Sequence, residues 1–125
     1  MTGQEVVRQA MRLLGYTDTL GDLDSAQNGE LYKRGLAVLN QLLCDLSLSE
    51  SGTMAPPLTS LRQDVPISEQ TARGVLPYGV AMLLAAAEGD GDNQQLFAAL
   101  YDQKRVAVRQ TYERRTDTLP RGCDA

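Results

Sequence analysis

Five side chains have the types and spacing to suggest chemistry: the alternating carboxylates Asp90 and Asp92, the carboxylates Glu69 and Glu88, and the thiol of Cys44. In EGDGDNQQ the two aspartates resemble the opening of a calcium loop, which needs glycine at its sixth position and a bidentate glutamate at its twelfth. Counted from Asp90, those positions hold Gln95 and Tyr101. The alternative needs no ion: Gly89 ends one helix, and Asp90 or Asp92 caps the next by accepting its orphan N–H groups. Glu69 and Glu88 could serve as a carboxylate pair, and Cys44 as a thiolate nucleophile. Against this, the sequence contains no histidine, the commonest general base and metal ligand. Cys44 stands inside a leucine repeat, and neither GxxxxGK[ST] nor GxGxxG occurs. The expectation is a protein without catalysis, metal or cofactor.

The elements that would position these groups belong to one small domain. A chain of 125 residues, 42% apolar and 22% charged, has the size and composition of a single globular unit. Its net charge of −4 is not that of a general nucleic-acid binder. Cys44 and Cys123 lack metal spacing and suit a reducing compartment. The first fifteen residues, MTGQEVVRQAMRLLG, have charges threaded through them and lack the apolar core of a signal peptide, which predicts that the chain stays where it is made.

Periodicity predicts four helical segments. Thr2 can cap a helix ending near Leu14, with Val6, Ala10, Leu13 and Leu14 on one face and Gly15 as its left-handed stop. After the turn-rich TDTLGDLDS, a second helix over residues 26–46 carries Tyr32, Leu36, Leu39, Leu43 and Leu46, and Leu31, Val38 and Leu42 widen its stripe. So broad a face places it in the middle of the packing. The proline-containing SLSESGTMAPPLTSLRQDVPI predicts an extended loop, with a short edge strand around residues 58–62 allowed. Ser68, Glu69 and Gln70 can start a short helical turn.

A third helix begins near Leu76, with Pro77 tolerated in its first turn, and is apolar all round from residue 80 to 87. At some twelve residues it is a core helix and far short of the roughly twenty that cross a bilayer, so no membrane partner is expected. Ala85, Ala86 and Ala87 leave room for another backbone, in this chain or in a second copy. The fourth helix covers residues 93–114, with Leu96, Phe97, Leu100, Tyr101, Val108 and Tyr112 on its apolar side. Its second half is basic: Lys104, Arg105, Arg109, Arg114 and Arg115. Residues 93–125 carry six basic and four acidic side chains, against six and twelve in residues 1–92. Such an end either complements the helix dipole or docks on an acidic partner or DNA phosphates. The final TDTLPRGCDA has no helical period, which predicts a flexible C-terminal tail over residues 116–125, ordered by a partner, after a helical domain over residues 1–115.

The order LLG, VLNQLLCDL, a proline-containing extended segment, and LPYGVAMLLAAAEGDGD before a long helix with a basic end resembles the head–tail connector, or adaptor, proteins of tailed bacteriophages. The resemblance covers about residues 3–114, and LPYGVAMLLAAAEGD is its most specific part. It departs at Asp45 and Leu46, where some relatives carry an aromatic residue. The resemblance implies an all-α bundle that assembles as a ring of about twelve copies under the portal, joining the DNA-filled head to the tail. It further implies a C-terminal segment reaching into the portal, a stopper or tail protein on the opposite side, DNA in the ring lumen, and a virion protein made in the bacterial host cytoplasm. The residues expected to dock on portal or partner are Arg105, Arg109, Arg114, Arg115, Leu119, Pro120 and Arg121. Those expected at subunit contacts are Leu39, Leu43, Leu46, Tyr78, Leu83 and Leu84. The competing reading is a DNA-binding or packaging accessory protein that uses the basic end of the last helix on phosphates.

Overall fold

A computed structural model describes the backbone of residues 1–15 and 29–124, and the side chains of residues 1–15 and 33–109. Among the described residues five helices follow one another in this order: α1 (Gly3–Leu14), α2 (Gly29–Ser51), α3 (Glu69–Gly74), α4 (Leu76–Ala87) and α5 (Gly91–Asp124). The protein is an all-α bundle of four main helices and the short α3. The turn-rich segment after α1, the side chains of Leu31, Tyr32 and Tyr112, and Cys123 lie outside the described residues or side chains.

Local chemistry sets most boundaries. The Thr2 hydroxyl accepts the N–H of Glu5 at 3.2 Å, and Gly15 adopts φ 74° at the other end of α1. The N–H groups of Gly3 and Gln4, which no helical turn can satisfy, donate to the carbonyls of Gln63 and Leu61 at 3.0 and 2.7 Å. Val65 N–H donates to the Met1 carbonyl at 2.9 Å. The loop after α2 therefore closes over the start of α1.

In that loop the expected strand around residues 58–62 is not formed, and the only pairing among the described residues is an isolated bridge between Thr2 and Asp64. Side chains hold the loop instead. The Asn40 amide donates to the Leu58 carbonyl at 2.9 Å and accepts its N–H at 2.8 Å, while Gln63 Oε1 accepts the N–H groups of Thr59 and Ser60 at 2.7 and 3.1 Å. With its polar groups met this way, the segment buries Leu58, Leu61 and Val65 without a sheet.

Helix α2 runs five residues past its expected end at Leu46. Ser47, Ser49, Glu50 and Ser51 have no apolar period, but the Ser51 hydroxyl donates back to the Ser47 carbonyl at 2.9 Å and Gly52, at φ 79°, stops the helix. The middle of the packing is occupied by α4 rather than α2, because α4 touches α1, α2, α3 and α5. Its buried residues Leu76, Pro77, Gly79, Val80, Ala81, Leu84 and Ala85 meet Val6, Val7, Ala10 and Met11 of α1, Leu39, Leu42, Leu43 and Leu46 of α2, and Phe97 and Tyr101 of α5 in one core. The all-round apolar pattern of α4 outweighs the wider stripe of α2, since only α4 has no solvated face to keep polar.

Helix α5 keeps helical backbone to Asp124, ten residues beyond the expected end at Arg114. Loss of apolar period removes a reason to pack but does not itself end a helix, and the backbone stays helical through Pro120 and Gly122, the two residues of that stretch least suited to it. At about 1.5 Å per residue α5 is about 51 Å long, against about 18 Å for α4. No helix among the described residues is long and apolar enough to cross a membrane.

Candidate functional site

The acidic turn after α4 is a helix junction. Gly89 takes φ 76°, Asp90 N–H donates to the Ala85 carbonyl at 2.9 Å, and Asp90 Oδ1 accepts the N–H of Asn93 at 3.2 Å. Asp90 Oδ2 accepts the Asn93 side-chain amide at 2.7 Å. Both carboxylate oxygens are thus committed to the start of α5, and no group of three His, Cys, Asp or Glu that could hold a metal ion occurs among the described residues. Asp90→Ala is expected to lower stability by about 1 kcal/mol, and added calcium to leave the melting temperature of the unaltered protein unchanged. A calcium-dependent rise in thermal melts would overturn the capping account.

Glu69 and Glu88 serve different arginines. Glu88 Oε1 accepts from Arg34 Nη1 at 2.6 Å, tying the end of α4 to α2. Glu69 pairs with Arg73 one turn along α3, and that guanidinium holds the exposed Glu69 carboxyl below its ordinary value. Cys44 is half-buried on α2, and its Sγ lies 3.4 Å from Met54 Sδ. Glu69 also lies 3.6 Å from the α-amino group of Met1, and Glu69 and Glu88 are thus each engaged by a cation and not by one another.

The basic half of α5 leans on aromatic rings. Lys104 Nζ stands 4.5 Å above the Tyr78 ring, whose centroid is 6.4 Å from that of Phe97. The Arg105 guanidinium lies 5.5 Å over the Tyr101 ring and donates to Asp102 at 3.1 Å. Burial pushes the Tyr101 phenol above its ordinary value, with the nearby Arg105 opposing. Of the expected docking residues, Arg105 and Arg109 are exposed on α5, while the side chains of Arg114, Arg115, Leu119, Pro120 and Arg121 lie outside the described ones.

The expected subunit contacts divide. Leu39, Leu43, Leu46 and Leu84 are buried inside the single chain, so their apolar area is consumed by its own core and none is left for a second copy. Each falls on the helix face that meets α4 or surrounds it, which periodicity alone does not separate from an outward face. Tyr78 and Leu83 are half-buried at the edge of that core.

Several residues that organise the molecule were not singled out from sequence. A Cβ on Gly79 would stand 2.7 Å from Tyr101 Cε1 and 3.0 Å from Leu42 Cδ1, so α5 and α2 close tightly on α4 at this glycine. An isolated glycine within an apolar helix is itself the signal of such an approach. Asn40 and Ser47, polar residues inside a leucine repeat, were a signal of the same kind. Glu50, which accepts from the N–H and hydroxyl of Ser68 at 2.8 and 3.2 Å and so positions the start of α3, gave none.

Compared with protein-family models, curated proteins and solved structures, the chain matches none.

Proposed function

We propose that this chain is a head–tail connector protein of tailed bacteriophages, a virion component that forms a ring under the portal and joins the head to the tail. In this reading it is made in the host cytoplasm, has a structural role without catalysis, and meets a stopper or tail protein on its far side. The observation that supports it most is α5. A compact bundle carries one helix that outruns its packing partner α4 by about 33 Å and whose second half is rich in arginine. A helix of that form can reach into a neighbouring assembly while the bundle stays outside it. The resemblance of LPYGVAMLLAAAEGD to the connector proteins points the same way, and many weak contacts made at once would give a ring of subunits its avidity.

The DNA-binding alternative has less support. Lys104 and Arg105 already face Tyr78, Tyr101 and Asp102 within the chain, and the molecule as a whole is acidic. A salt-dependent shift of duplex DNA by the isolated protein would favour it.

The test is cosedimentation with purified portal rings of the full chain, a chain ending at residue 115, and an Arg109→Glu/Arg114→Glu/Arg115→Glu variant. The full chain is expected to pellet with the portal. Both altered chains are expected to stay in the supernatant, and the melting temperature of each, measured beside that of the full chain, separates a loss of docking from a loss of fold. A full chain that ignores the portal would remove the connector reading, and a truncated chain that binds as well would remove the C-terminal anchor.

A further inference from the structure

We draw no further inference here: the strongest candidate, the surface patch of Cys44 and the exposed Leu48 and Met54 where α2 meets its following loop, is an unpartnered apolar face with one cysteine, and nothing in the structure shows what covers it.

Discussion

Leu84→Asp is expected to abolish folding. Leu84 is fully buried in α4, the helix that touches each of the other four, so an aspartate there has neither water nor a cationic partner. An uncompensated buried carboxylate, together with the lost packing of a leucine, costs more than the about 4–5 kcal/mol that marks the most damaging single substitutions. A domain of this size has only about 5–15 kcal/mol to lose. Leu84→Ala removes the side chain without adding charge and should cost about 2–5 kcal/mol, leaving a folded protein with a lower denaturant midpoint. The measurement is urea denaturation followed by circular dichroism. A soluble Leu84→Asp protein that melts cooperatively at the parent temperature would place α4 at the edge of the molecule.

The second large effect is expected at Gly79. Alanine in a helix is ordinarily better than glycine by about 0.5–1 kcal/mol. At Gly79 the added Cβ would meet the Tyr101 ring at 2.7 and 2.9 Å and Leu42 Cδ1 at 3.0 Å, below any ordinary contact. Tyr101 is itself wedged in the core, so the ring has little room to withdraw. Overpacking of this kind costs about 1–3 kcal/mol and outweighs the propensity gain. Gly79→Ala should therefore destabilise, and Gly79→Leu should do so more severely. Gly74→Ala, where a Cβ meets nothing within 4 Å, should be neutral or stabilising. Pairing Gly79→Ala with Tyr101→Leu should recover part of the loss, and the coupling energy of the four proteins measures the contact. Equal stability of Gly79→Ala and the parent would mean that α4 and α5 are farther apart than the structure has them.

The helices were legible in the sequence wherever a local cause fixes them. Thr2, Gly15, Pro77, Gly89 and Asp90 act on their immediate neighbours, so the start of α1, the start of α4 and the α4–α5 junction follow from residue type and spacing. The extension of α2 to Ser51 was not legible, because serine is neutral about helix and its hydroxyls are satisfied by groups whose positions only the fold supplies. The loop after α2 was legible as a loop, but the short strand allowed around residues 58–62 does not form, because the side chains of Asn40 and Gln63 satisfy backbone groups there in place of a pairing strand.

The candidate surface was less legible than the fold. Leucines that repeat at three and four mark a face that is covered, without saying whether the cover is this chain or another. Leu39, Leu43, Leu46 and Leu84 are covered from within. Leu48, off that repeat by half a turn, was unremarkable in the sequence, and only the fold shows it exposed.

The way the loop closes over α1 also bears on the order in which the molecule can be completed. A twelve-residue helix is too short to persist alone in water, and the first donors of α1 are met by Leu61 and Gln63, some sixty residues later in the chain. Its apolar face meets α2 and is closed only by α4. The first turn of α1 is thus held in place by residues far along the sequence, and α1 can settle only after the loop and α4 are in reach.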